Sequence, residues 1–359
     1  MYSSIIVSYN LSLQSFEEKS KDSLEVDLGK EGKAYFSKER GFFSEILAEI
    51  IDKRKEYKKE YAKNPSNLLK ARSNAFKLIA NASYGYLGFF GARYYCRQAA
   101  ASAAALARKS IIETIEKVKS AGHKIIYSDT DSIAFLYNNK EETLELLKEI
   151  NKSLTGIMEL DLEDFYTRGL FVSKRIITKE ESGAKKKYAL INEKGKIKIR
   201  GFETVRRDWC DLARKLQSDI LELILKEGNE KKALEIAKDI IIKIKTRKID
   251  KKDILIKTQL KKPISEYKSI TPHVIAAKKM LEQGIPVSQG VVIEYFIAET
   301  REKKSLVREK VKLPDEKGEY NIEYYLNNQI LPAIGNIFDV FGVNIQDISS
   351  GSSQKTLPF

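Results

Sequence analysis

The sequence predicts a mixed α+β chain with more than one domain, and two observations carry that reading. Runs rich in β-branched and aromatic residues, at 3–9, 124–137, 165–178 and 187–199, are separated by long stretches of helical periodicity rather than by short turns. The 359 residues exceed the roughly 100–150 of a typical single domain. With 42 % apolar and 32 % charged residues, the chain has enough hydrophobic surface for packed cores and a well-solvated exterior.

The elements follow in order. Ser3–Tyr9 is a strand-like run, and the polar stretch around Gly29 and Gly32 reads as a returning hairpin. From Gly41 the apolar residues Phe42, Phe43, Ile46, Leu47, Ile50 and Ile51 recur at helical spacing, and the helix runs on through a charged segment to Asn64-Pro65. A second helix spans about 66–83, so the two form an antiparallel hairpin that stops at Tyr84-Gly85-Tyr86-Leu87-Gly88. The alanine-rich stretch 98–119 predicts a buried helix whose small side chains allow close approach to a sheet. Lys124–Tyr137 is a β-hairpin with Ser128-Asp129-Thr130-Asp131 at its tip, and 141–153 is a helix. Two strand-rich segments then precede helices at 209–226 and 230–246, which break at Gly228-Asn229.

Charge bounds the partners. Sixty-four Lys and Arg against fifty Asp and Glu leave +14, which points to a polyanion, because phosphate contacts release condensed counterions. The two cysteines, Cys96 and Cys210, have neither disulfide-framework nor zinc-site spacing, which suggests a reducing, cytoplasmic setting. His123 and His273 stand near no plausible nucleophile, so carboxylates are the expected catalytic groups. No apolar run reaches the roughly 18–20 residues that cross a bilayer, no targeting signal precedes the first apolar run, and no membrane partner is expected.

Asp129-Thr130-Asp131 taken alone is an ordinary turn sequence. Held rigidly between apolar strands, however, two carboxylates two residues apart can aim oxygen ligands at a hard cation such as Mg²⁺. On the helical hairpin, Arg54 and Lys58 share one face, and Lys77, Asn81 and Tyr84 share another. A cation, an amide and an aromatic at one-turn spacing, ending at Gly85, can grip a triphosphate, a sugar and a base together.

These residues carry a resemblance. Lys77-Leu-Ile-Ala-Asn81-Ala82-Ser83-Tyr84-Gly85 resembles the K-x-x-x-N-S-x-Y-G motif B of family B DNA polymerases, and Tyr127-Ser128-Asp129-Thr130-Asp131-Ser132 resembles their Y-x-D-T-D-S motif C. Lys185-Lys186-Lys187-Tyr188 is similar to the K-K-x-Y motif, and Arg200-Gly201 with Val205-Arg206-Arg207-Asp208-Trp209 is similar to the start of an archaeal thumb. Met1-Tyr2-Ser3-Ser4-Ile5 resembles the end of motif A, so the similarity covers essentially the whole chain. Ser3 and Ala82 depart from the patterns by small residues only, whereas the motif A aspartate would fall ahead of Met1.

The resemblance implies a polymerase palm from 1–40 and 91–182, helical-hairpin fingers at 41–90, and a mostly helical thumb with a C-terminal tail at 183–359. It implies template-directed addition of deoxynucleoside triphosphates to the primer of a primer–template DNA, assisted by two Mg²⁺ ions. Asp131 is then the principal metal ligand, with Asp129 and Glu163 as further acidic positions. Tyr2 is the implied steric gate against a ribose 2′-hydroxyl. Arg54, Lys58, Arg72 and Lys77 are implied triphosphate contacts, and Asn81, Tyr84 and Gly85 shape the nucleotide pocket. Tyr127, Thr130, Lys186, Lys187, Tyr188, Arg206 and Arg207 are implied contacts to primer–template DNA. The tail, with Gln354, Leu357 and Phe359, resembles a shortened sliding-clamp-binding box. The missing aspartate implies a split enzyme that is inactive without a separate large N-terminal fragment. A non-catalytic nucleic-acid-binding subunit is the alternative expectation, and a D-x-D glycosyltransferase is a weaker one that leaves motif B unexplained.

Overall fold

The strand-like run at the start of the chain is a helix. In the computed structural model, which describes residues 1–173, 183–206, 208–300 and 305–346, α1 spans Tyr2–Ser8 and buries Ile5, Ile6 and Val7. These β-branched residues favour strands locally, but burying them against the neighbouring helices outweighs a propensity difference well below 1 kcal/mol per residue. Strands β1 (Phe16–Glu17), β2 (Leu24–Asp27) and β3 (Lys33–Phe36) then form an antiparallel sheet in the order β1-β3-β2. Asn10, in the left-handed region at φ 52°, ties the end of α1 to the approach of the next helix. Its amide donates to the carbonyls of Ser37 (2.9 Å) and Glu39 (2.6 Å) and accepts from the Gly41 N–H (3.0 Å).

The expected helical hairpin is formed by α2 (Phe42–Lys63) and α3 (Asn67–Leu87). Asn64-Pro65 ends the first arm, and the Ser66 hydroxyl caps the second by accepting from the Leu69 N–H at 3.2 Å. The second arm runs one turn further than its sequence suggests, through Tyr84 and Gly85 to Leu87. Helix α4 (Arg97–Ser120) buries its alanine face, with Ala99 and Ala103 fully covered, as expected. Strands β4 (Ile125–Asp129) and β5 (Ser132–Phe135) make the acidic hairpin as a separate two-stranded sheet, followed by α5 (Lys140–Ser153). These elements share one core around Ile5, Ile6, Leu47, Leu87, Ala99 and Ala103, and they form a first compact unit, Met1–Glu163.

The second unit, Asp164–Phe359, has its own core. Strands β6 (Tyr166–Ser173), β7 (Gly183–Asn192) and β8 (Ile197–Arg200) pair antiparallel in that order. Helix α6 (Asp211–Glu227) ends on Gly228 in the left-handed conformation, and α7 (Glu230–Lys245) follows with Asn229 as its cap. The chain continues through β9 (Ile256–Gln259), α8 (Pro272–Glu282), β10 (Val292–Ile297) and β11 (Val311–Lys312). It closes with α9 (Ile322–Tyr325) and α10 (Leu331–Asp339), joined by a π-helical turn. The region from 183 is therefore less helical than expected: β9, β10 and β11 form a second three-stranded sheet, built on fully buried Ile293, Phe296 and Ile297. No helix among the described residues is long and apolar enough to cross a membrane.

Candidate active site

Three parts of the first unit carry the candidate chemistry. At the start of α1 the Tyr2 ring stacks on that of Tyr84, in the last turn of α3, with centroids 4.2 Å apart and planes inclined by 12°. This pairing depends on α1 being helical and on α3 reaching past Tyr84. Along α3, Ala80, Ser83 and Leu87 face the core while Lys77 and Asn81 are exposed. Gly85 is exposed as well, and a methyl group there would meet nothing within 4 Å. Room for the chain's own packing therefore does not require a glycine, whose presence leaves one face of the helix end bare.

The two arms of the hairpin are joined by aromatic contacts. Tyr57 packs on Phe76 with centroids 5.5 Å apart, and the Arg72 guanidinium lies 5.6 Å over the Tyr57 ring. Arg72 is thus seated between the arms, whereas Lys58 and Lys77 make no ion pair among the described residues. Arg54 carries a buried Nε–H with no hydrogen-bond partner among the described residues, an arrangement native proteins rarely leave unfilled.

The acidic tip is a two-residue turn. Asp129 pairs with Ser132 across the hairpin, Ser128 with Ile133, and Tyr127 with Ala134. Thr130 takes the left-handed conformation at φ 50° and donates to Asp129 Oδ1 at 3.1 Å, while Ser132 donates to the Asp129 carbonyl at 3.2 Å. These bonds orient Asp129. The Asp131 carboxylate is exposed and meets no partner among the described residues. Two such carboxylates suit a hard divalent cation but are only part of a full ligand set. Among the described residues no group of three or more His, Cys, Asp and Glu could hold a metal ion, so Glu163, exposed at the end of this unit, does not complete one with Asp129 and Asp131.

In the second unit the tripeptide Lys186-Lys187-Tyr188 is divided in its surroundings. Lys186 is exposed, Tyr188 is half-buried and stacked on Phe171 with centroids 5.5 Å apart, and Lys187 turns inward to Glu203, its Nζ 2.8 Å from Oε1. The Lys187 charge is thus paired within the chain. Arg206 is half exposed and grips Asp208 with two hydrogen bonds, 3.0 and 2.6 Å, which raise its own pKa and hold the aspartate below the usual carboxylate range. Arg207 and the tail residues Gln354, Leu357 and Phe359 lie outside the described residues.

Residues 1–341 match the family described as DNA polymerase family B. The chain belongs to that family. A DNA polymerase of Pyrococcus glycovorans is 36 % identical over 99 % of this chain, and one of Thermococcus sp. (strain 9oN-7) is 33 % identical over 97 %. The solved structure of the family B DNA polymerase from the hyperthermophilic archaeon Pyrobaculum calidifontis aligns with 96 % of the chain at 30 % identity and a TM-score of 0.66. The chain spans less than half the length of these relatives: 46 %, 45 % and 44 %.

This family B chain also carries a basic surface of which the sequence reading named only Arg206. Arg206, Lys257, Lys261 and Lys262 line a cleft of about 780 Å³ together with Tyr267 and His273. The Lys262 ammonium sits 4.9 Å over the Tyr267 ring, and Tyr267 OH accepts from the Lys261 N–H at 3.0 Å. Burial lowers the pKa of His273, which packs edge-on against Tyr267 at 5.5 Å. The available signal was Lys261-Lys262 followed closely by an aromatic, a basic patch with aromatic interleaving.

Proposed function

We propose that the chain is the catalytic C-terminal part of a DNA-dependent DNA polymerase, adding deoxynucleotides to a primer 3′-end by phosphoryl transfer. The observation that carries this reading is the stack of Tyr2 on Tyr84 beside the exposed Lys77–Asn81 face, since it joins two motifs far apart in sequence at one floor for a nucleotide sugar. In this reading residues 1–40 and 91–182 are palm, 41–90 fingers and 183–359 thumb.

Lys77, Lys58, Arg54 and Arg72 bind the triphosphate, and the otherwise unpartnered Arg54 Nε–H finds its acceptor there. Tyr2 excludes a 2′-hydroxyl, while Asn81, Tyr84 and the bare face at Gly85 shape the nucleotide pocket. Asp131 and Asp129 would hold two Mg²⁺ ions together with a carboxylate from outside these 359 residues. When bound, the ions lower the pKa of the primer hydroxyl and neutralise the departing pyrophosphate. Most of the remaining barrier reduction comes from positioning, which is the work of the side chains named here. Tyr127, Thr130, Lys186, Tyr188, Arg206, Arg207 and the basic cleft contact primer–template DNA without reading its sequence.

We propose as partner an N-terminal fragment corresponding to the part of the longer relatives that this chain does not span, which supplies the remaining carboxylate. The tail at Gln354, Leu357 and Phe359 is a proposed contact for a sliding clamp. Family membership removes the glycosyltransferase reading. Primer extension with this chain alone and with the matching N-terminal fragment tests the proposal: incorporation is expected only in the mixture and should vanish when Asp131 is replaced. DNA binding without incorporation in any mixture would instead establish a non-catalytic subunit.

A further inference from the structure

Lys186 has φ 64°, one of four non-glycine residues among those described with positive φ. An L-residue with a long side chain rarely adopts that conformation by itself, so neighbouring structure must hold it. Gly201 faces it, also left-handed at φ 71°, and a Cβ there would lie 2.0 Å from the Lys186 carbonyl oxygen and 3.1 Å from the Lys187 Cα. The two strands therefore meet at this point with no space for a second side chain, just beyond the ladder in which Tyr188 pairs with Arg200.

The next residue anchors this kink in β7. Lys187 Nζ donates to both oxygens of Glu203, at 2.8 and 3.0 Å, and lies 5.2 Å over the Phe202 ring. The two charged side chains are only 11 % and 12 % exposed. Gln217, fully buried, donates to Glu203 Oε2 at 2.6 Å, accepts from the Thr204 N–H at 2.8 Å, and donates to the Ala333 carbonyl. Strand β7, the turn after Gly201, α6 and α10 are thereby joined through one carboxylate. Turning Lys187 toward an outside anion would leave that carboxylate buried without its cation, a costly state.

We propose that the adjacent lysines divide their work. Lys186 contacts the nucleic-acid backbone, and Lys187 is a positioning residue whose buried pair with Glu203 fixes the left-handed kink in β7 that presents Lys186. This inference rests on the proposed DNA contact of Lys186.

The test measures binding of the whole chain to a fluorescein-labelled primer–template by anisotropy across a salt series, at a temperature well below the melting transition and with active fractions set by stoichiometric titration. Removing a phosphate contact lowers the steepness of log K against log salt by about one, and removing a positioning residue does not. Lys186→Ala is expected to lower that slope by about one. Lys187→Met is expected to weaken binding by about tenfold with the slope unchanged. The exchange Lys187→Glu with Glu203→Lys keeps the pair in reversed order and is expected to retain binding near the wild-type level, which also covers the case in which Lys187→Met does not fold. A slope loss in Lys187→Met, undiminished affinity in that variant, or abolished binding in a folded exchange variant overturns the inference. Absence of salt-dependent DNA binding by the wild-type chain overturns the functional reading beneath it.

Discussion

Tyr2 and Tyr84 lie face to face, their ring centroids 4.2 Å apart and their planes 12° from parallel. Beyond the apolar area that it covers, such a pair contributes about 0.5–1.5 kcal/mol, and its larger consequence is to fix the position of a ring that can lie under a sugar. In the enzyme completed by the N-terminal fragment, Tyr2→Ala is expected to raise ribonucleotide incorporation about tenfold or more. Unchanged sugar selectivity in a single-nucleotide insertion assay would remove Tyr2 from this role.

Gly85 separates stability from function. A methyl group there meets nothing within 4 Å, and alanine is favoured over glycine inside a helix by about 1 kcal/mol. Gly85→Ala should therefore raise the melting temperature by a few degrees while lowering nucleotide incorporation, because the added group occupies space left for the substrate. Calorimetry and steady-state kinetics check the two halves, and full activity in the more stable variant would show that the bare face is unused.

Arg54 should behave in the same sense for a different reason. Its buried Nε–H has no partner among the described residues, and an unsatisfied buried donor costs about 1–3 kcal/mol. Arg54→Met is expected to hold or raise the melting temperature and to increase the KM for nucleotide about tenfold. A KM equal to that of the wild type would mean that the orphan donor does not serve the triphosphate.

The hairpin tip predicts the opposite balance to a core substitution. Asp131 is exposed and unpartnered within the described chain, so Asp131→Ala should change folding stability by no more than about 0.5 kcal/mol. Incorporation by the completed enzyme should fall by more than about 10³-fold, and chelation of divalent cations should abolish it. Rapid-quench measurement of single-nucleotide addition decides the matter.

Cys210 gives a pH dependence of known sign. It is completely buried, and burial pushes its thiol from an ordinary 9.0 up to about 12. The folded chain keeps the proton that the unfolded chain releases, so stability is full below the unfolded value and declines as pH rises above about 9. Urea titrations between neutral and alkaline pH should show a shallower decline in Cys210→Ala, and iodoacetamide should leave the native thiol untouched.

Much of the architecture was legible because it follows from local rules. Asn64-Pro65 breaks a helix wherever it falls, the alanine face of α4 buries on any neighbour, and two apolar runs around Ser128–Asp131 have little choice but to form a hairpin. The family was legible too, since the chemistry and spacing of its motifs travel together. The helix at Tyr2–Ser8 was not, because Ile5, Ile6 and Val7 favour a strand until a three-dimensional core rewards the helix that buries them. Nor was the strand content after residue 246, where β10 pairs with β9 far back along the chain and with β11 beyond a long connection.

By itself, then, the sequence determined which groups this chain has to work with: the acidic hairpin, the cation-bearing faces of a helical hairpin, and the excess of positive charge. Only the tertiary structure decided which of them stand ready and which are committed. It set Tyr2 against Tyr84, left Arg54 Nε–H without an acceptor among the described residues, and turned Lys187 inward to Glu203 while Lys186 is exposed. The physical reason is that two adjacent lysines are identical in sequence terms, and only long-range packing supplies the buried carboxylate that distinguishes them.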